Sequence, residues 1–298
     1  MAITGLALHF CGQPVTEEQF DLIREVVETC TGLSRMELAR TVCDLLEWVR
    51  PNGRLKAREC FEFLEKLEER GKLRLPARQP GRRKGTVTRV PVTEQGDEQP
   101  LLEGTVRDVA PVTLSVVETE PERLLWRELV GRHHYLGHKV PFGASLRYLV
   151  RVARPREAVV GALQFSSPAW RMAPRDQWIG WDEAARKKNL QRVVQNSRFL
   201  ILPWVQVRNL ASTVLSLAAR RLPQDWLARY SVEPILLETL VDPSRYTGGS
   251  YRAANWIELG ITTGRGRMDK RHDMHQAAPK AVWVYPLRTS ALKELRAV

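Results

Sequence analysis

Three side chains in the C-terminal third have the types and spacing for chemistry on a phosphate ester. Glu238 lies in Ile235-Leu236-Leu237-Glu238-Thr239-Leu240-Val241-Asp242. The run is apolar on both faces, the pattern of a central, buried strand. Period-two alternation puts Leu236, Glu238, Leu240 and Asp242 on one face. A carboxylate there needs a cation, a metal or a raised pKa, and pairing with an arginine is the structural alternative to catalysis. Asp242 stands at the strand's C-terminal end, where open α/β sheets gather ligands. The two Cα atoms are ~13 Å apart in an extended strand, which weighs against joint metal ligation. Downstream, Thr247-Gly248-Gly249-Ser250-Tyr251 leads into a helix predicted over 250–259, with Ser250 as cap and Gly260 as stop. Free N–H groups at a helix start attract phosphate, and a tyrosine in the first turn could attack a phosphodiester held there. Asn255, one turn on, is predicted to share its face. The catalytic candidates are therefore Tyr251, Glu238 and Asp242; a packed tyrosine is the plain alternative for Tyr251.

Other stretches suit binding. Arg132-His133-His134-Tyr135-Leu136-Gly137-His138 holds three of the six histidines. On a helix His134 and His138 would meet and hold a metal, but Gly131 and Gly137 argue for a loop with exposed histidines. Residues 262–275 contain Arg265, Arg267, Lys270 and Arg271 among glycines. That is a pliable phosphate clamp or a solvated loop. Trp170, Trp178 and Trp181 lie among Arg171, Arg175 and Asp176, which suits stacking on unpaired bases or anchoring in a core.

The charge points the same way. The chain has 298 residues and a formal net charge of +12. Residues 126–298 carry 28 lysines and arginines against 13 acids, a net of +15, whereas residues 1–76 carry 11 against 13. Such a field favours a polyanion, commonly nucleic acid, with solubility or an acidic protein partner as alternatives. With 43% hydrophobic and 27% charged residues the chain is globular rather than disordered. No stretch approaches ~20 apolar residues, so no membrane partner is expected. The first ten residues lack the basic start of a secretory leader. Cys11, Cys30, Cys43 and Cys60 form no CxxC pair and read as reduced thiols of a cytoplasmic protein.

The elements that must position these groups divide into two domains. Residues 1–76 read as helical. Thr16 precedes a helix bearing Phe20, Ile23, Val27 and Cys30, and Gly32 stops it. Ser34 with Glu37 forms a capping-box pattern ahead of Leu38, Val42, Leu45 and Leu46. After the Pro51-Asn52-Gly53 turn, a third helix over 56–70 points Cys60, Phe63, Leu64 and Leu67 inward, and a short strand is predicted at 72–75. Three helices and a strand suggest a winged helix, with Arg35, Arg40, Arg54, Lys56 and Arg58 as DNA-binding candidates. The acidic face of Glu59, Glu62, Glu65, Glu68 and Glu69 suits a protein-docking domain instead. Residues 77–100, rich in proline and glycine, read as a linker.

Residues 101–298 read as α/β. A helix is predicted over 121–130, ended by Gly131, and a hairpin of strands 146–153 and 158–165 follows. Then come a helix over 182–195, a strand over 198–205, a helix over 210–222 capped by Asn209, and strands over 235–241 and 281–287. Strand, helix, strand implies a right-handed parallel crossover. This order resembles the GCN5-related acetyltransferases. The expected fold class is thus α/β, a GCN5-related-acetyltransferase-like mixed sheet with helices behind a small all-helical, winged-helix-like domain. Those enzymes hold the coenzyme A pyrophosphate on a glycine-rich turn. The corresponding turn here, Val205-Gln206-Val207-Arg208-Asn209-Leu210-Ala211, has no glycine. Acetyl-coenzyme A is therefore not expected, and Arg208 and Asn209 join the DNA-binding candidates.

The motifs His134-Tyr135-Leu136-Gly137, Arg175-Asp176, Ile179-Gly180-Trp181, the run from Asn196-Ser197-Arg198-Phe199 to Pro203-Trp204-Val205, Asn209-Leu210-Ala211-Ser212, Asp225-Trp226, Glu238-Thr239, Val241-Asp242, the run from Gly249-Ser250-Tyr251-Arg252 to Asn255-Trp256, and Gly264-Arg265-Gly266-Arg267 occur in this order. Together they resemble the DruA-like family, named for a component of Druantia anti-phage systems, with relatives among mobile elements. The segments Ser34-Arg35-Met36-Glu37-Leu38-Ala39 and Asn52-Gly53-Arg54-Leu55-Lys56 resemble a helical domain that precedes some insertion-sequence transposases. The resemblance implies DNA, duplex or single-stranded, as partner and a role in transposition or phage defence.

The resulting expectation is DNA strand cleavage or transfer of a transposase-like or nuclease-like kind. Tyr251 would act as nucleophile, or Glu238 and Asp242 as metal or acid–base groups, with Mg2+ as candidate cofactor and its ligands unassigned. Gly249, Ser250, Arg252 and Asn255 at the helix start, and Arg265, Arg267, Lys270 and Arg271 in the loop, complete the DNA-binding set. The rival reading is a non-catalytic DNA-recognition subunit that recruits a helicase or nuclease; an acyltransferase ranks behind both. A second copy of the chain is a further candidate partner.

Overall fold

The computed structural model describes residues 8–30, 33–51, 54–77, 90, 92–139, 141, 143–262 and 278–298. The candidates Arg265, Arg267, Lys270 and Arg271 lie outside these. Two compact units divide the chain, the first centred on Met1–Arg82 and the second holding Arg83–Pro141, Ser145–Arg265 and His275–Val298.

The first unit opens with a two-strand hairpin, β1 (His9–Phe10) and β2 (Gln13–Pro14). Three helices follow, α1 (Glu17–Thr29), α2 (Arg35–Leu45) and α3 (Ala57–Glu69). Thr16 and Ser34 each close a capping box, with Gln19 and Glu37, which satisfies main-chain donors that a helix start leaves unpaired. The predicted apolar stripes converge: Ile23, Val27, Leu38, Val42, Cys60, Leu64 and Leu67 are buried together with Phe10. The strand expected at 72–75 is not formed. The Leu75 amide donates to Glu68 (2.8 Å) and Arg35 donates to the Pro76 carbonyl (2.8 Å), so side chains of α2 and α3 take the hydrogen bonds a wing would use.

The second unit begins with β3 (Leu102–Thr105), α4 (Val106–Val109), β4 (Val112–Val116) and α5 (Glu120–His133). The hairpin β5 (Ser145–Val152) and β6 (Ala158–Ser166) follows, then α6 (Ala173–Ile179) and α7 (Glu183–Asn189). Next come β7 (Val193–Ile201), β8 (Val205–Arg208), α8 (Leu210–Tyr230) and β9 (Leu236–Val241). The unit ends with α9 (Gly249–Ala253), β10 (Ile257–Ile261), β11 (Ala281–Pro286) and α10 (Ala291–Leu295). Seven strands form one mixed sheet in the order β10-β11-β9-β7-β6-β5-β4, while β3 and β8 pair apart from it. β7 and β9 are parallel, joined by α8 as the crossover; the other neighbours in the large sheet are antiparallel. This is the mixed α/β sheet entered by a hairpin that the element order predicts. No described helix is long and apolar enough to cross a membrane.

Several boundaries differ from expectation. α5 runs through Gly131 to His133, because the chain turns only at His134. The helix after Asp182 ends at Asn189, whose amide is drawn to the Leu295 and Ala297 carbonyls, and the strand predicted at 198 starts at Val193. Asn209 adopts a left-handed backbone and makes no side-chain cap; α8 continues past Leu222 because Trp226 and Tyr230 extend its buried stripe. α9 stops at Ala253 rather than 259. Gly248, not Ser250, is its cap, and Ile257–Ile261 joins the sheet instead. Asn255, with φ +62°, is exposed and shares no helical face with Tyr251.

Candidate functional site

β7 and β9 pair over four residue positions only, from Val193 opposite Leu236 to Asn196 opposite Thr239. Both strands run on, to Ile201 and Val241, but apart. The parting coincides with a bulge. Phe165 faces Asn196 and Gln164 faces Arg198, so Ser197 is the extra residue in β7. A bulge bends its strand and re-aims the side chains beside it. Here it sets Asn196 and Arg198 at the opening.

A buried polar floor lies under that opening. The Tyr251 hydroxyl donates to Asn196 Oδ1 at 2.8 Å. Thr239 Oγ1 donates to the Asn196 carbonyl at 3.0 Å and lies 3.4 Å from the Tyr251 oxygen. Phe199, Trp256 and Trp283 surround the Tyr251 ring. Burial pushes the phenol well above its usual pKa. Gly248 brings α9 to this place: its φ is +72° and a Cβ there would stand 2.4 Å from the Trp283 ring. Only glycine fits both demands.

Glu238 sits one register step earlier and is fully buried, as a central-strand position requires. Its Oε2 accepts from Arg175 at 3.0 Å, and Arg175 also meets Asp176 at 2.8 Å and the Ala169 carbonyl at 2.9 Å. Burial pushes the Glu238 carboxyl upward even beside this guanidinium. Arg175 keeps its charge against burial, held by Glu238 and Asp176. The Arg175 ring neighbour is Trp181, at 5.6 Å, and Trp178 and Trp181 pack on the core around Ile179. Arg186 covers Trp170 in the same way. These tryptophans are anchors and not an open stacking surface.

Above the floor is a cationic shelf. Arg198 donates to the carbonyls of Gly137 (2.9 Å) and Ser197 (2.6 Å), and no carboxylate pairs with it among the described residues. Burial lowers its pKa without removing its charge. Arg147 donates to Gln164 (3.0 Å), which donates to Ser197 (3.1 Å), and the Arg147 guanidinium lies over Trp126 at 4.7 Å. Arg127 Nε is buried without a hydrogen-bond partner. His138 packs edge-on against Trp126 at 5.6 Å, and its Nδ1 is likewise buried and unpartnered. Burial first, then Arg147, Arg127 and Arg198, lower the His138 pKa to about 4. His134 is lowered to about 4 by burial and by Arg198. Both rings are neutral at pH 7. The Leu136 amide donates to His134 Nδ1, so the proton of that ring sits on Nε2. Neutral histidines beside arginines can donate to an anion without adding repulsion among the cations.

The rim is aromatic. Tyr135 stacks on His134 at 5.0 Å and meets Tyr246 at 5.6 Å, and Arg245 lies over the Tyr135 ring at 5.3 Å. Asp242 builds the turn that carries Tyr246. Its Oδ1 accepts from the Ser244 amide (3.0 Å) and hydroxyl (2.6 Å), and its carbonyl accepts from the amides of Arg245 (3.1 Å) and Tyr246 (3.0 Å). The Ser244 hydroxyl bond, partly offset by burial, lowers the Asp242 pKa.

Of the sequence-predicted residues, Tyr251 and Glu238 are thus brought to neighbouring positions under the opening, and Asp242 to its rim. His134 and His138 are not on one helix face, and no group of three or more His, Cys, Asp or Glu that could hold a metal occurs among the described residues. Arg252 is exposed beside Glu258 (3.3 Å) and over Trp283, with Gly249 exposed and Ser250 half-buried next to it. Arg208 and Asn209 are exposed at the start of α8, away from any glycine turn: Val205–Arg208 is a strand paired in parallel with Leu102–Thr105. In the first unit Arg35 turns inward to Glu65 (3.3 Å) and Glu68 (2.8 Å), Arg58 meets Glu62 (3.2 Å), Lys56 lies over Phe10, Arg40 is half-buried and Arg54 is exposed. Sequence reasoning missed Asn196, Arg198 and Tyr246. The four consecutive polar residues from Gln195 to Arg198, between the apolar pairs Val193-Val194 and Phe199-Leu200, were the available signal.

Residues 68–291 match the family model described as Druantia protein DruA. No curated protein matches the chain. Among solved structures, spermidine/spermine N-acetyltransferase SpeG from Vibrio cholerae is 10% identical with a TM-score of 0.35, covering 61% of this chain and 95% of its own. A KacTA–DNA complex is 14% identical with a TM-score of 0.33, covering 62% and 98%. FeeM, an N-acyl amino acid synthase from uncultured soil microbes, is 10% identical with a TM-score of 0.34, covering 59% and 91%. At such scores these likenesses carry no argument about activity.

Proposed function

The chain belongs to the Druantia protein DruA family, and from that membership we propose that it is a DNA-handling component of anti-phage defence that grips the phosphate backbone at the parting of β7 and β9. The observation that carries this reading is Arg198. It is a half-buried guanidinium held open by two main-chain carbonyls, with no carboxylate partner among the described residues. Arg127, Arg147 and two neutral histidines stand beside it. The net charge of +15 on residues 126–298 supports a polyanion as the ligand. Tyr251, Glu238 and Asp242 are engaged in internal hydrogen bonds or ion pairs, which favours recognition, with a helicase or nuclease supplying the chemistry.

Strand cleavage or transfer by the chain itself is the second reading. What favours it is the position of Tyr251, whose hydroxyl meets Asn196 where the strands part. In that reading an incoming phosphodiester displaces Asn196 as the partner of the phenol. The test is incubation with end-labelled duplex and single-stranded DNA, with and without Mg2+. A mobility shift without products supports recognition. Nicks, or a protein-linked strand lost in Tyr251→Phe, support cleavage. No binding to either DNA at low salt sinks both. Calorimetry with acetyl-coenzyme A tests the acyltransferase alternative directly.

A further inference from the structure

We propose that Tyr246, backed by Tyr135, receives an unpaired nucleotide base, so that this face takes single-stranded DNA in preference to duplex; the inference rests on the DNA reading above.

Tyr246 is 52% exposed, and Leu136, next in the chain to Tyr135, is 37% exposed. The other tyrosines in the described aromatic contacts of this unit are half-buried or buried. A large ring left in water needs a reason, and here it belongs to a built arrangement. Asp242 fixes its turn through four hydrogen bonds. His134 covers one side of Tyr135 and Arg245 lies against that ring, so Tyr135 supports Tyr246 and leaves Tyr246 as the surface on offer. An aromatic held by its turn loses little freedom when a base stacks on it.

The charge around the ring says what else the ligand carries. Arg245 and Arg198 flank the Tyr135–Tyr246 pair, the first over the Tyr135 ring and the second beside His134. Arg245 is held to Asp242 at 3.7 Å, whereas Arg198 pairs with no carboxylate among the described residues, and a flat π-face near such a guanidinium suits a base with its own phosphate. In duplex DNA both faces of each base are already stacked, so the ring can engage only an unpaired or extruded base.

The experiment uses the full chain and fluorescence anisotropy. A labelled single strand and the matching duplex are titrated with the wild type and with Tyr246→Ala, Tyr246→Phe and Arg198→Ala, and a second strand carries 2-aminopurine. The wild type is expected to bind the single strand more tightly and to quench 2-aminopurine. Tyr246→Ala should lose roughly tenfold in single-strand affinity and the quenching, with duplex binding unchanged. Tyr246→Phe keeps the ring and should keep both. Thermal melting checks that the exposed-site variants are folded. Equal affinity for the two DNAs, or no effect of Tyr246→Ala while Arg198→Ala still weakens binding, overturns the base-stacking assignment and leaves the DNA reading standing. Absence of any DNA binding by the wild type overturns the DNA reading itself.

Discussion

The Tyr251 hydroxyl and the Asn196 side chain are hydrogen-bonded at 2.8 Å across the point where two parallel strands separate. The bond ties α9 to β7 beside that parting. Tyr251→Phe removes it while keeping the ring in its aromatic surroundings. We expect a loss of about 1 kcal/mol in urea denaturation, since one buried hydrogen bond disappears and one acceptor stays behind. A much larger loss would mean that the hydroxyl organises more than this pair.

Arg198 is the residue on which the cationic shelf turns. Arg198→Ala is expected to weaken DNA binding uniformly across sequences and to reduce the salt slope of binding by about 1, as removal of a single phosphate contact does. Arg198→Lys keeps the charge but loses the forked pairing with the Gly137 and Ser197 carbonyls, so it should recover only part of the affinity. Mobility shifts over a range of salt concentrations check both.

Glu238 and Arg175 are both fully buried and paired at 3.0 Å. Removing Arg175 strands Glu238, whereas removing Glu238 leaves Arg175 with Asp176 at 2.8 Å and the Ala169 carbonyl at 2.9 Å. Arg175→Met is expected to cost about 3–5 kcal/mol. Adding Glu238→Leu should recover a large part of that loss, because an apolar pair of similar volume needs no counter-ion. Chemical denaturation of the single and double variants reads the coupling.

His134 and His138 give the fold an acid sensitivity. Both have folded-state pKa values near 4, below the unfolded value of 6.5. The unfolded chain therefore binds more protons between about pH 6.5 and 4. Stability is fully present above that window and falls as the pH drops through it. The loss is at most about 3 kcal/mol per ring, and less in so far as each ring keeps some solvent. Thermal melts from pH 8 to pH 4 should show a decline that the double variant His134→Gln, His138→Gln flattens.

Gly248→Ala tests how α9 is seated. The backbone at +72° disfavours a side chain, and the added methyl would meet Trp283 at 2.4 Å. A loss of about 2–3 kcal/mol is expected, with a changed tryptophan emission spectrum as the local ring shifts.

The hairpin of β5 and β6, the buried β9 and the capping boxes of α1 and α2 were readable because each depends on local pattern: alternation, a two-sided apolar run, or a hydroxyl three residues ahead of a side chain that reaches back. The start of β7 was not, because the polar residues Gln195, Asn196 and Ser197 look helical or loop-like until Gln164 and Thr239 are there to bond them. The length of α9 escaped for a similar reason. Its sequence continues with fair helix formers, and only pairing with β11 draws Ile257–Ile261 into the sheet. At the candidate site, the buried state of Glu238 followed from its strand, but its partner Arg175 comes from a distant helix. Tyr135 and Tyr246 lie on separate loops that meet only once the sheet has formed, so neither advertises the other along the chain.

The salt link between Arg175 and Glu238 also bears on how this protein can change over generations. Glu238 pairs with no other cation among the described residues, so drift at Arg175 meets a stability barrier until Glu238 changes too. The two positions should therefore be inherited as a unit, kept together or exchanged together for an oily pair, in any set of descendants that retains this sheet.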